Sequence, residues 1–343
     1  MKAILLGIAG VIVVTLIFYS MDLPSIAGIL QNSNIYFIFC AVAIQLLSYF
    51  FLVSKVRLIT TQYKKTSYII SFKLWLTGAL LDLVTPFVQI GGEPVKILFL
   101  KKNKWKASKA SAVIITDTFI ELFAFFTMLV IAIILLVVTS NGVHLLSYAA
   151  GIAVSATLIF SMFYVSLNKK ILVKVVGKFQ KIGKRFGVKD KSYRKFVFSF
   201  EKSFRHLLGN GILMTKAFLL SLGAKILDFF RTYFIFLAIG YPIGVQTIVF
   251  VWAIVLIFSM LPGLPGNLGI VEAGAIAAYV FFGVPAPIAA AAVLVDRVVS
   301  FWMLLGIGGS IFGINARLVY VQKVRLSNLR DTVFKKTLVT KEG

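Results

Sequence analysis

Seven of the twelve acidic residues lie within or against long apolar segments: Asp82, Glu93, Asp117, Glu121, Asp228, Glu272 and Asp296. An ionised side chain in hydrocarbon costs about 2.5 to 3.5 kcal/mol even on the mild insertion scale, so such residues face a cavity and have partners. They could hold an amine, relay a proton, or fasten helices as ion pairs. Two of them follow chain breakers. Gly91-Gly92-Glu93-Pro94 places two residues without Cβ before an acid and a proline suited to a first helical turn. Pro262, Gly263, Pro265, Gly266, Asn267 and Gly269 precede Glu272 in the same way. A half-helix starting at either place would aim free amide N–H groups and its positive dipole end at a cavity, which suits an anionic group such as a lipid phosphate. The competing reading is that these glycines only allow close helix packing.

The cations inside apolar runs are Lys216, Lys225, Arg231 and Arg297. Asp228 and Arg231 stand at i,i+3 and are expected to form a structural ion pair. Asp296 and Arg297 are adjacent, so they point about 100° apart on a helix and each needs a partner elsewhere; Glu93 and Glu272 are the choices for Arg297. Lys216 and Lys225 are expected to snorkel or pair. Seven acids against four cations favour a positively charged cargo, and coupling protons explain the excess equally well. His144 and His206 sit in connections without metal-ligand spacing, and Cys40 is the single cysteine, so neither a metal, a cofactor nor a disulfide framework is expected. The chain has no Gly-rich Lys motif for ATP.

These residues must be positioned by membrane helices. The chain has 343 residues, is 59% hydrophobic with mean hydropathy +0.96, and carries a net charge of +24. No soluble globular domain is that apolar, so the class is a polytopic membrane protein. The basic residues cluster between apolar runs, which removes nucleic acid as a partner. Runs long enough for the roughly 20 residues of a bilayer core extend over 3–20, 34–54, 110–139, 145–167, 212–239 and 286–314. The first is read as a membrane helix rather than a signal peptide, being long for an h-region and without a small-x-small cleavage site. Four basic stretches, 55–73, 96–109, 169–205 and 317–341, alternate with connections free of Lys and Arg. The positive-inside rule puts the basic stretches and both termini in the cytoplasm of a plasma (inner) membrane.

Parity then constrains the interrupted segments. The stretches around Lys64 and Lys101 are both inside, so 67–104 must enter the membrane and return, as a re-entrant hairpin. Segment 245–282 has two charge-poor flanks and reads as a second hairpin of opposite sense, with two short crossings as the alternative. A shift of 179 residues lays Pro86 on Pro265, Glu93 on Glu272 and Asp117 on Asp296, which suggests inverted halves of about 34–139 and 212–314 within one membrane domain spanning 1–343. Such repeats with broken helices are a recurring transporter plan. The linker 168–206 is basic, with apolar residues at helical spacing from Ile171 to Phe186, an amphipathic helix for an anionic leaflet.

The Gly91-Gly92-Glu93-Pro94-Val95-Lys96 turn, the acids Asp117 and Glu121, the Pro-Gly-Asn-Leu-Gly-Ile-Val-Glu run ending at Glu272, and Asp296-Arg297 before Trp302 together resemble the lysylphosphatidylglycerol synthase transmembrane-region family, also called flippase-like domains. The resemblance covers nearly the whole chain. The family includes the membrane part of the multiple peptide resistance factor, which is held to move aminoacylated phosphatidylglycerol between leaflets while a cytoplasmic domain makes it. This sequence ends shortly after its last span, so the resemblance implies the flippase-like module without the synthase, and a separate lipid-modifying enzyme as a partner. Lys96 stands where the family motif carries Arg, a change that keeps the charge and loses bidentate phosphate geometry.

The expectation is an all-α polytopic membrane protein of about six full transmembrane helices plus two opposed re-entrant hairpins, translocating a polar or aminoacylated phospholipid, with room for a homo-oligomer. Glu93, Glu272, Asp117, Glu121 and Asp296 would line a polar path, Arg297 and Lys96 would engage phosphate, and Gly91, Gly92, Asn267 and Gly269 would shape the hairpin tips. A membrane enzyme using Glu93 and Asp117 as acid and base, a proton-coupled solute transporter and a structural scaffold are the rivals.

Overall fold

The computed structural model describes residues 23–84, 92–139, 190–260 and 267–313, and every regular element among them is a helix. In chain order these are α1 (Leu23–Gln31), α2 (Ile35–Thr60), α3 (Tyr68–Val84), α4 (Glu93–Lys102), α5 (Ala107–Thr139), α6 (Asp190–Leu208) and α7 (Gly211–Ala238). Then come α8 (Val245–Met260), α9 (Ile270–Phe281), α10 (Ala286–Arg297), a π-helical turn (Val298–Trp302) and α11 (Met303–Gly313). Four expected spans are α2, α5, α7 and the continuous run from α10 to α11. The spans expected at 3–20 and 145–167, the amphipathic stretch 171–186, both termini, and the breaker runs 85–91 and 261–266 lie outside the described residues. Ile35–Thr60, Ala107–Leu135 and Ala286–Ile311, of 26, 29 and 26 residues, are long and apolar enough to cross a membrane. The 28-residue α7 has the length but carries Lys216, Lys225, Asp228 and Arg231. The chain is an all-α polytopic membrane protein.

The centre of the molecule is the antiparallel pair of α2 and α7. Each starts on an asparagine whose side chain accepts a first-turn amide, Asn34 from Tyr36 at 3.0 Å and Asn210 from Leu213 at 3.0 Å, satisfying donors the helix leaves orphaned. The Asn34 amide reaches the Ala238 carbonyl at 2.7 Å, so the start of α2 meets the end of α7. Apolar packing among the described residues separates into two large buried clusters and a smaller one that joins Phe125, Phe126 and Ile133 of α5 to Ala253 of α8. Of the large clusters, the first gathers Tyr49, Trp75, Leu100 and Ile114 around α2 to α5; the second gathers Ile235, Ile276, Tyr279 and the alanines 289–292 around α7 to α10.

Two helix pairs turn back on themselves. With 17 and 10 residues, α3 and α4 are about 26 and 15 Å long. The start of α4 lies against the middle of α3, where a Cβ on Gly92 would strike the backbone of Gly78. At the other end Lys64 Nζ, before α3, donates to the Asn103 carbonyl, after α4, at 3.0 Å. Both helices therefore share an end. The same holds for α8 and α9, where Phe250 and Phe282 stack with ring centroids 4.8 Å apart. Adding 179 to the bounds of α2, α3, α4 and α5 gives 214–239, 247–263, 272–281 and 286–318. The helices stand at 211–238, 245–260, 270–281 and, from α10 to α11, 286–313.

Three local features depart from the sequence reading. The stretch 21–33, read as a connection, contains α1, whose Ile26 is buried in the second cluster. Segment 286–314, read as one uninterrupted helix, contains the π turn, whose Ser300 carbonyl accepts the Tyr49 hydroxyl at 3.0 Å; such insertions often mark functional positions. The linker carries an amphipathic helix at 190–208, where Phe200, Phe204 and Leu207 are buried against the first cluster. Tyr63, between α2 and α3, donates to the Ser203 carbonyl at 2.6 Å, and burial pushes its phenol above the ordinary value.

Candidate functional site

The polar face of α2 is a stripe at helical spacing, Gln45, Ser48 and Lys55, all buried despite their polarity. It faces a matching stripe on α7, Lys225, Asp228 and Arg231. Ser48 Oγ donates to Asp228 Oδ1 at 3.2 Å and to the Ala224 carbonyl at 3.3 Å. Gln45 Oε1 accepts from Arg231 Nη1. Around this seam the charged residues fall into two clusters.

The first lies among α2, α4 and α5. Lys55 Nζ is 2.9 Å from Asp117 Oδ1 and 3.1 Å from Glu121 Oε2. Lys96 Nζ is 3.2 Å from Glu93 Oε1 and 3.7 Å from Asp117 Oδ2. Two ammonium groups therefore meet three carboxylates. Lys55 and Lys96 are 1% and 5% exposed, so neither belongs to the cytoplasmic basic surface where counting by runs puts them. Lys55 is the site residue the sequence reading missed. Its signal is the polar recurrence Gln45, Ser48 and Lys55 in an otherwise apolar helix; at about 100° per residue all three fall within roughly 80° of one another on one face.

The second cluster lies among α7, α9 and α10. Arg231 Nε is 2.9 Å from Asp296 Oδ1, and its Nη1 is 3.1 Å from Asp228 Oδ1. The expected pair of Asp228 and Arg231 is thus part of a bridge that ties α7 to α10. Arg297 Nε is 2.8 Å from Glu272 Oε1, with Glu272 1% exposed. Asp296 and Arg297, adjacent in sequence, are held by different helices. Here two guanidinium groups meet three carboxylates. Buried charges of this kind are tolerated only when paired, because desolvation of each ion is costly.

The helix starts differ from the expected arrangement. The amide of Gly92, the N-cap of α4, is taken by Asp82 Oδ1 at 2.8 Å, and that of Gly269, the N-cap of α9, by Glu272 Oε2 at 2.7 Å. These amides are not free for a ligand; a protein carboxylate already occupies the positive end of each helix, the arrangement that best offsets the dipole. Gly269 has φ +87 and Asn267 φ +53, conformations that glycine and asparagine adopt more readily than other residues. Gly91 lies outside the described residues.

A cavity of about 310 Å³ is enclosed mainly by α7, α8, α9 and α10, with Asp82 and Leu83 of α3 at its edge, and its charged lining is Asp82, Lys225, Asp228, Arg231, Asp296 and Arg297. Its volume is at the lower end of small-molecule sites. Among the described residues Lys225 has no salt bridge within 4 Å, and the buried Arg297 Nη2 has no hydrogen-bond acceptor. A second, polar cavity of about 30 Å³ is lined by Asp82, Glu93, Lys96, Thr118 and Glu121. Asp82 borders both. Among interior charges the seven acids face five cations, Lys55, Lys96, Lys225, Arg231 and Arg297, because Lys216 is exposed. The excess of acid is two; counting by apolar runs gives three.

A family model described as the lysylphosphatidylglycerol synthase transmembrane region matches residues 3–308. A UPF0104 membrane protein of Methanothermobacter thermautotrophicus is 29% identical over 245 residues, 69% of this chain and 72% of that protein. One of Pyrococcus horikoshii is 25% identical over 334 residues, 93% and 99% of the two chains. One of Methanocaldococcus jannaschii is 27% identical over 317 residues, 88% and 90%.

Proposed function

The chain belongs to the lysylphosphatidylglycerol synthase transmembrane-region family, and from that membership we propose that it translocates a polar phospholipid or lipid-linked headgroup between the leaflets of the cell membrane. The observation that carries the proposal is the 310 Å³ cavity, whose lining sets Lys225, without a salt bridge among the described residues, and Arg297 beside Asp82, Asp228 and Asp296. A phosphodiester bearing an amine needs both signs of charge at that separation. Lys225 and Arg297 supply charge-assisted donors to phosphate, and the carboxylates receive an ammonium group. Glu272 orients Arg297 in the cavity wall by holding its Nε.

The architecture supports the same reading. Helix α4, about 15 Å long, covers only half of a hydrocarbon core of about 30 Å, so α3 and α4 form a re-entrant hairpin. In our reading α8 and α9 form a second one of opposite sense, and α2 to α5 and α7 to α11 are inverted halves with cytoplasmic termini. The two halves rock about the α2–α7 seam and expose the cavity to one leaflet at a time.

The enzyme alternative would use Glu93 and Asp117 as acid and base. The cavity beside Glu93 has about 30 Å³, room for a water molecule and not for a headgroup. Comparing cells with and without the chain separates the two readings. Loss of a translocase changes which leaflet exposes a lipid and leaves the lipid inventory intact; loss of an enzyme removes a lipid species from the mass spectrum.

A further inference from the structure

The two charge clusters occupy corresponding places and differ in one chemical respect. Glu93 and Glu272 each sit in the first turn of the short helix of a hairpin, and Asp117 and Asp296 each sit on the long helix that follows. The cations that hold them are Lys55 and Lys96 in the first half, and Arg231 and Arg297 in the second. A guanidinium stays charged at any accessible pH and fixes its carboxylate partners as anions. An ammonium on a flexible stem is a movable point charge, and it releases its partners more readily. The cavities follow the same division, since the guanidinium side borders the large one and the ammonium side the small one.

We infer that the lysine-held cluster around Glu93 is a proton-binding site that drives the translocation carried out by the arginine-held half. The inference rests on the translocase reading. Glu93 Oε1 is bound by Lys96, while Oε2 is buried with no cation on it among the described residues and shares the small cavity with Thr118. The groups that face it are Lys96 on its own helix, Asp82 from α3, Asp117 and Glu121 from α5, Lys55 from α2 behind them, and Lys225 from α7 beyond Glu121. Lys55 already serves Asp117 and Glu121, so the local shortage of positive charge falls on Glu93. One proton taken from water onto Glu93 converts two ammonium groups against three carboxylates into a neutral set, and Lys96 then turns wholly to Asp117. The 30 Å³ cavity admits the water that delivers the proton. A metal cation is disfavoured there because the Lys96 ammonium occupies the position it would take. Asp82 carries the change to the large cavity, since it lines both cavities and also holds the start of α4 through the Gly92 amide.

The test has two independent readings. Infrared difference spectra of the purified full chain in nanodiscs, taken across a pH jump, are expected to show a protonated carboxyl band that is absent in Glu93→Gln and shifted to lower pH in Lys96→Arg. This reading needs no cargo, so it judges the proton site even if no lipid moves. The second uses proteoliposomes with headgroup-labelled phosphatidylglycerol and lysyl-phosphatidylglycerol, the potential clamped with valinomycin and potassium. A pH gradient of one unit is expected to skew the leaflet distribution by up to about tenfold for one proton per lipid, and the skew is lost in Glu93→Gln. No titrating carboxyl band in the wild type, or a skew driven by a sodium gradient and not by pH, would overturn the inference.

Discussion

Arg297 and Glu272, 2.8 Å apart through Nε and Oε1, form the pair on which the second half is built. The same carboxylate caps α9 through the Gly269 amide, so one side chain fixes both the start of the short helix and the cation that reaches the cavity. Removing one partner leaves an uncompensated buried charge, which costs about 3 to 5 kcal/mol, while removing both can be nearly neutral. Arg297→Leu is therefore expected to lower the thermal midpoint of the detergent-solubilised protein sharply. Arg297→Leu with Glu272→Leu should recover much of the loss in stability and none in translocation.

Lys225 differs from the other interior cations because no carboxylate lies within salt-bridge distance of it among the described residues. Lys225→Gln should therefore leave the stability within about 0.5 kcal/mol of wild type, as for a residue outside any packed or paired network. Loss of a charge-assisted bond of about 1.5 to 3 kcal/mol should slow lipid exchange tenfold or more. An unfolded variant, judged by size-exclusion profile, would place Lys225 in the framework instead.

Gly92 and Gly269 are needed for different reasons. A Cβ at 92 meets the Gly78 backbone and separates α3 from α4, whereas Gly269→Ala places a side chain at φ +87, which costs about 1 to 3 kcal/mol. Both should reduce the yield of folded protein. Gly211→Ala, where nothing lies within 4 Å, should be silent in the same expression and melting assay.

The hairpin arrangement is open to labelling. In a Cys40→Ser background, cysteines at the exposed positions 65 and 102, which flank α3 and α4, should react with an impermeant maleimide from the same side of the membrane. Cysteines at 246 and 281, flanking α8 and α9, should react from the other side. Reaction of 65 and 102 from opposite sides would make α3 and α4 a crossing.

Much of this is readable in the sequence because bilayer physics writes itself into composition. Apolar run length places α2, α5, α7 and the α10–α11 run, and breakers beside Glu93 and Glu272 mark the short helices. Glu93 and Glu272 can both be proposed for Arg297 because adjacent residues on a helix cannot serve each other, and the pairing found is with Glu272. What stays hidden depends on three-dimensional pairing. Lys55 follows directly on an apolar run and reads as the start of a cytoplasmic loop, but α2 continues through it to Thr60 and carries it inside. The capping of Gly92 by Asp82 links residues ten apart in the chain, and no spacing rule points to it. The π turn has no compositional mark, since Val298 to Trp302 would suit an ordinary helix equally well. Helix α6 is overshadowed in the sequence because the lysines at 174–181 give a stronger amphipathic pattern than the phenylalanines that α6 buries.

The most direct measurement is leaflet accessibility of headgroup-labelled phosphatidylglycerol and lysyl-phosphatidylglycerol in proteoliposomes, for the intact chain and for Lys225→Gln and Glu272→Gln. Exchange faster than in protein-free vesicles, and slowed in both variants while they remain folded, is the expected result and places the path in the cavity lined by Lys225 and Arg297. Exchange no faster than in protein-free vesicles for either lipid would contradict translocation of these headgroups by this chain.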